Sequence, residues 1–311
     1  MSFNIYFAGA PYDTEVGRDI RRTDRCVLLS QLNDRSTINK WIEEMKANSE
    51  VHCKMFIDSG AFSAWTKGKQ IDVDEYIDFI NKNDKYLTVC ASVDKIPGEA
   101  KTAHVATQEE IEQSAEQTWK NYLYMRERIN NKSLLLYTFH VGEPWQFLEQ
   151  ALNYEDEYGK ITYLALGGLV GKNKDIQKAF IDKCFEIIKN SKNPNIQVHG
   201  FGLTRLGYLE QYPFTSADST AWLMTAINGS IFSKWGTLKI SDRAIYKDDH
   251  ICNKIEAGQE EIKKYITSKG FTFEELMNSD VKRQEWNYKY LCEWADNYKY
   301  TPNIGKNKKL F

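Results

Sequence analysis

The sequence predicts an α/β protein, a (β/α)8 barrel with a C-terminal helical appendage. Eight apolar runs bounded by turn residues recur at a fairly regular interval along residues 4–218, and helix-period stretches fill the gaps between them. Most of these runs are continuous rather than alternating, the pattern of a strand buried on both faces of a parallel sheet. A doubly wound sheet would share that local pattern with fewer strands, so the count of eight decides for the barrel.

In order, the expected strands are NIYFAG (4–9), CVLLSQL (26–32), KMFIDSG (54–60), YLTVCASVD (86–94), SLLLYTFHVG (133–142), ITYLALGG (161–168), NIQVHGFG (195–202) and FTSAD (214–218). Helices lie between them. Ser36 is the expected N-cap of a helix with Ile38, Trp41, Ile42 and Met45 on one face. Residues 72–83 carry Val73, Tyr76, Ile77, Phe79 and Ile80 at helical spacing. Thr107 opens a long polar helix to about residue 130, with Glu109 and Glu110 suited to its first turn. Pro144 begins the next helix, and 174–190 shows Ile176, Phe180, Ile181, Cys184, Ile187 and Ile188. The stretch 203–211 is shorter. Residues 1–230 therefore form the expected catalytic barrel, and 231–311 its last helix plus an appendage with helical stretches at 254–268 and 281–299 and a basic tail.

Composition narrows the function classes. Of 311 residues, 42% are hydrophobic and 13% aromatic, which argues against disorder. No apolar run approaches the roughly 20 residues of a membrane helix, and MSFNIYFAGA lacks the basic start of a signal peptide. Six cysteines stand far apart with no C-x-x-C, which suits reduced thiols and a cytoplasmic protein rather than a zinc ribbon. At a net charge of −2, any nucleic-acid contact must come from a local basic patch.

Chemistry in this fold sits where strands run out into the following loops. The polar residues there are Asp58, Asp94, His140 with Glu143, Gly167–Gly168, His199 and Asp218. One carboxylate can act as nucleophile, another can manage a proton, and glycine amides can approach a planar ring closely. Taken singly, each aspartate is as readily a helix N-cap, and Gly-Gly is more often a tight turn; the joint occurrence carries the weight.

These residues resemble the tRNA-guanine transglycosylase superfamily, closest in pattern to its compact DNA-acting members, the DpdA-like 7-deazaguanine transglycosylases. FIDSGAFSAW (56–65) is similar to the family's D-S-G-G-[FY]-Q signature, and YLALGGLVG (163–171) to its L-A-[VI]-G-G-L-x-x-G loop. VHGFGLT (198–204) followed by SADST (216–220) resembles its M-G-[VI]-G-T segment and F-D-C motif. SVD (92–94) lies where the family has its recognition aspartate, and order and spacing agree over roughly residues 54–222. The resemblance implies that Asp218 attacks the sugar C1′ to form a covalent glycosyl-enzyme, with Asp58 as acid/base. It further implies that Asp94, Gly167 and Gly168 bind the base edge, that Phe62 and His199 stack on the base, and that no cofactor is needed.

Departures from the pattern shape the expected substrate. Ser63 stands where the family has a guanine-reading glutamine, and both the C-x-C-x-x-C…H zinc subdomain and the arginine-bearing P-T-R stretch are missing. These favour DNA over tRNA, with a flipped base in the barrel mouth and a free 7-deazaguanine-type base as second substrate. Arg18, Arg21, Arg22 and Arg25, read as one loop on the active face, and Lys67 and Lys69 are the expected phosphate contacts. Lys306, Lys308 and Lys309 read as a frayed tail. His140 and Glu143 are expected to line the pocket. The expected activity is base exchange in DNA; the alternative is a glycosylase that excises a modified base from phage DNA in antiviral defence, leaving an abasic site. A metal-dependent hydrolase built on His140, Glu143, His199 and Asp218, and a non-catalytic binding barrel, are lesser readings.

Overall fold

The computed structural model describes residues 3–98, 105–203, 205–241 and 251–301, with the backbone alone over 251–259. Its strands are β1 (Asn4–Ala8), β2 (Cys26–Ser30), β3 (Lys54–Asp58), β4 (Val89–Ala91), β5 (Leu135–His140), β6 (Glu155–Asp156), β7 (Gly159–Lys160), β8 (Tyr163–Gly167), β9 (Gln197–Gly200), β10 (Ser216–Ser219), β11 (Ser230–Ser233) and β12 (Gly236–Lys239). Eight of them close a parallel barrel in the order β1-β10-β9-β8-β5-β4-β3-β2, and β1 pairs with β10 from Asn4 opposite Ser216 to Phe7 opposite Ser219. All eight strands expected from the sequence are present. The pairs β6/β7 and β11/β12 are small antiparallel hairpins outside the barrel.

The continuous apolar runs have a simple origin. Successive side chains point to opposite faces of a strand, and here both faces are covered. Tyr6, Ala8, Cys26, Leu28, Phe56, Val89, Ala91, Leu136, Tyr163 and Ala165 form a cluster that fills the barrel interior. Their neighbours Ile5, Phe7, Val27, Leu29, Met55, Ile57, Cys90, Tyr137, Leu164 and Val198 belong to the layer packed beneath the helices. At the N-terminal end of the barrel Asn4 Oδ1 accepts from Lys54 Nζ at 3.2 Å and from Cys26 Sγ at 3.6 Å.

Helices return the chain from one strand to the next. The helix Gln108–Arg128 starts from Thr107, whose side chain and Glu110 form a reciprocal capping box. The helix Arg35–Ala47 begins one residue ahead of Ser36, with Asp34 at the cap: its carboxylate accepts from Ser30 N at 2.8 Å rather than capping the helix. The expected arginine loop is itself a helix, Glu15–Arg22, capped by Thr14.

After β10 the chain departs from regular alternation. A short helix, Ala221–Ile227, leads into β11/β12, and the helices Ile251–Ser268 and Phe273–Asn278 precede Asp280–Asp296. That last helix lies against β1, Glu15–Arg22 and Ala221–Ile227. Tyr288 packs on Phe7 with ring centroids 4.6 Å apart and its hydroxyl donates to Asp19. Buried Asn287 accepts from Phe232 N at 2.8 Å and donates to Trp222 O at 3.0 Å, tying the last helix to the hairpin and to the helix after β10. A third cluster, Ile231, Leu238, Ile240, Ile262, Ile266, Phe271, Leu276 and Trp286, gives this segment its own core. Lys306, Lys308 and Lys309 lie outside the described residues. The five described-side-chain cysteines (Cys26, Cys53, Cys90, Cys184 and Cys292) are free and buried, and no helix among the described residues is long and apolar enough to cross a membrane. Replacing Asn287 with leucine leaves an N–H and a carbonyl unpaired in the core, so Asn287→Leu is expected to lower stability by about 2–4 kcal/mol, read as a fall in urea midpoint.

Candidate active site at the C-terminal mouth of the barrel

The two-residue alternation that fills the barrel also delivers its polar mouth. Two residues beyond Phe56 the inward position is Asp58; stepping on from Leu136 leads through Thr138 to His140, from Tyr163 through Ala165 to Gly167, and from Ser216 to Asp218. Each strand thus ends with an inward residue one layer above the apolar plug. Asp94, three residues past β4, joins them.

Asp58 is followed by a turn that requires glycine. Gly60 has φ +83°, and a Cβ there would come within 2.6 Å of Leu32 Cβ; its N–H donates to Asp58 Oδ2 at 3.2 Å. Burial, then the charges of Asp94 and Asp218, push the Asp58 carboxyl up to about 7, against the opposing Gly60 hydrogen bond. Asp58 therefore exchanges its proton near neutral pH, as a general acid/base must.

His140 sits between two carboxylates. Its Nε2 lies 3.1 Å from Asp94 Oδ2 and its Nδ1 2.9 Å from Glu143 Oε1, while the His140 backbone N–H donates to Glu143 Oε2 at 3.0 Å. Burial alone would favour the neutral ring, but Glu143 and Asp94 outweigh it and raise the imidazole pKa to about 10. His140 is thus an imidazolium at neutral pH, and both its N–H groups are spent on carboxylates. Gly167 is the counterpart of this packing: a Cβ there would come within 2.6 Å of His140 Cδ2. Gly168 has φ +72° and turns the chain away from the barrel, with Val141 N donating to Gly167 O at 3.1 Å.

Asp218 is held from one side. Its Oδ1 accepts from Gly202 N at 2.8 Å and lies 3.2 Å from His199 Nε2. His199 does not face an incoming base, as the resemblance implies. It is fully buried among the rings of Tyr6, Phe56 and Phe201, because its position on β9 points into the barrel. Ser216, Tyr163 and Gly202, which contact His199 or Asp218 directly or through one another, were not singled out by sequence. A serine and a tyrosine inside strands give no signal until the strands are laid side by side.

The rim carries Phe62, Ser63 and Lys67 on and just after one short helix. Phe62 is 65% exposed on the helix Ala61–Thr66, which Trp65 anchors through Nε1 to Gly98 O at 2.9 Å. Ser63 Oγ accepts from Asn33 Nδ2 at 2.7 Å, and Asn33 Oδ1 accepts from Lys67 Nζ at 2.7 Å. Asn33 reaches this group from the loop after β2 and carried no sequence signal.

The arginine cluster is a correction. The helix Glu15–Arg22 runs back from the mouth, so Arg21 and Arg22 fall in its last turn, and Arg25 directly precedes β2 at the opposite end of the barrel. Arg21 is buried on Glu44 at 2.7 Å, Arg25 forks onto Asp296 at 2.6 and 2.8 Å, and Arg18 pairs with Glu15 at 2.9 Å. Spacing in sequence put them together; helical return takes Arg21, Arg22 and Arg25 away from the mouth. Among the described residues no three His, Cys, Asp or Glu side chains converge as metal ligands. Comparison with protein-family models and with curated proteins finds no match.

Two measurements test these electrostatics. Folded Asp58 holds its proton to about pH 7, whereas an unfolded aspartate releases it near 4, so stability falls as pH rises between those values and the cost is complete above 7. Asp58→Asn is expected to be more stable than the parent by about 1–3 kcal/mol at pH 8, with the gain gone near pH 4. In NMR titration His140 is expected to remain protonated well above pH 8, and Glu143→Gln to move its titration down toward an ordinary histidine.

Proposed function

We propose that this chain is an enzyme that breaks N-glycosidic bonds in DNA, exchanging a flipped base for a free 7-deazaguanine-type base. The observation that supports it most is the pair Asp218 and Asp58: one carboxylate anchored through a single oxygen at the mouth, beside another that holds or yields a proton near pH 7. Two carboxyl groups in unlike environments are what a two-step displacement at an anomeric carbon requires.

In this reading an Asp218 oxygen bonds to C1′ as the C1′–N bond breaks, and the electron pair leaves with the base, which takes the proton of Asp58. The sugar then remains as an ester of Asp218 on one face while the base departs from the other. A free base enters, gives its proton to the Asp58 carboxylate, and attacks C1′ through nitrogen, releasing Asp218. Asp94, held by His140, offers its second oxygen to the donor edge of the base. The exposed ring of Phe62 supplies a stacking wall, and Lys67 a cation on the same rim. If water takes the place of the incoming base, the same residues make a glycosylase and leave an abasic site.

Purified protein is mixed with single-stranded and duplex DNAs carrying ordinary and modified bases, with and without a free deazaguanine. Released base is read by mass spectrometry, and abasic sites by mild alkali. Base released only when the deazaguanine is present, with the strand intact and a protein–DNA adduct that survives denaturation, is the expected result. Asp218→Asn is expected to slow release at least about 1,000-fold and abolish the adduct. Alkali-labile sites that depend on Asp218 would replace exchange by excision. Release unaffected by Asp218→Asn, or from no DNA at all, would overturn the reading.

A further inference from the structure

Beneath Asp218 a row of buried polar groups crosses three adjacent strands. Tyr163 Oη on β8 and Ser216 Oγ on β10 are 2.6 Å apart, Ser216 Oγ is 2.6 Å from His199 Nδ1 on β9, and His199 Nε2 is 3.2 Å from Asp218 Oδ1. His199 and Ser216 are fully buried and Tyr163 nearly so. No other polar group of the barrel interior is connected to the mouth in this way among the described residues.

The direction of each hydrogen bond follows from the end of the row. For a neutral His199 ring facing an ionised carboxylate, which only accepts, the nitrogen facing Asp218 is the one that carries the proton, and Nδ1 is left as an acceptor. Ser216 must then donate to Nδ1, and its lone pairs accept from Tyr163. Burial keeps the Tyr163 phenol un-ionised, with its pKa pushed up to about 12, so it serves as the terminal donor. All three protons point toward Asp218, an arrangement in which each bond polarises the next.

The destination of the row matters more than its length. His199 and the Gly202 N–H both act on Oδ1 of Asp218, and Oδ2 accepts no hydrogen bond among the described residues. The geometry points to His199, held in one tautomer by Ser216 and Tyr163, as a positioning residue that commits Oδ1 to the protein and leaves Oδ2 as the attacking oxygen. This rests on Asp218 being the nucleophile. It assigns His199 a place under the nucleophile, out of contact with the substrate, and it gives Ser216 and Tyr163 a role that packing alone would not demand.

The test has one arm that needs no substrate. In the full chain labelled with 15N, long-range correlation spectra are expected to show His199 with the proton on Nε2 and a bare Nδ1, and Ser216→Ala to weaken that preference. In the second arm, base release is measured on whichever DNA the parent protein acts upon. His199→Leu is expected to lower kcat about 100-fold with KM within about threefold, because a carboxylate free to rotate is misplaced on the scale of an ångström. His199→Gln, whose amide can still donate to Oδ1, is expected to recover most of that loss, and Ser216→Ala to fall between them. A residue that only fills the space among Tyr6, Phe56 and Phe201 would tolerate leucine as well as glutamine. A proton on Nδ1, a glutamine variant no better than the leucine one, or a loss confined to KM would overturn the inference while leaving Asp218 as nucleophile. A parent protein that releases no base, or does so without Asp218, would remove the nucleophile itself and the inference with it.

Discussion

The aromatic plug of Tyr6, Phe56 and Phe201 around His199 keeps water from the underside of the barrel mouth, and the carboxylates above it are solvated only from outside. Half-desolvated acids compete for the charge they can sustain. Asp58, with burial beneath it and Asp94 and Asp218 nearby, keeps its proton up to about pH 7. The same low-dielectric floor strengthens whatever hydrogen bonds reach Asp218 from below and beside it. The raised pKa of Asp58 and the anchoring of Asp218 through one oxygen thus both reflect what lies under and beside them.

His140 is the second consequence. Asp94 and Glu143 lie at the two nitrogens of one ring, and the imidazolium between them makes a charge-assisted hydrogen bond to each. The space for that ring comes from the next strand, where Gly167 has no Cβ to obstruct it. A histidine, a glutamate three residues on and a glycine 27 positions later are therefore one structural unit. The glycine read from sequence as an amide donor to a base is explained first by the imidazole it accommodates.

The helix Asp280–Asp296 closes the barrel's flank where the alternation of strand and helix breaks down. It packs over β1 through Tyr288, and Asn287 pairs backbone groups of the hairpin and of the helix Ala221–Ile227. Arg25 forks onto Asp296 at the far end of the same helix. Arg25, expected from sequence at the mouth, thus ties the last helix to the start of β2. Lys67, on the segment after β3, is a cation that does stand at the mouth.

The sequence alone determined the eight strands, because burial on both faces writes continuous apolar runs that no surface strand shows. It also determined the acidic ends of those strands, since period-two alternation carries an inward position from the plug to the mouth. Helices with a stripe, a capping residue and a clear stop were legible for the same local reason. Only the tertiary structure decided what those ends touch. His199 was legible as a strand-end residue, yet its place beneath Asp218 depends on the register of β9 against β10; Ser216 and Tyr163 gain meaning only from that register. Asn33 reaches Ser63 across a gap of thirty residues, and the arginines part company because a helix carries them down the barrel wall. Local pattern encodes which face of an element is buried; which distant groups meet across that face is set by how the strands are staggered, and no single stretch of chain contains that information.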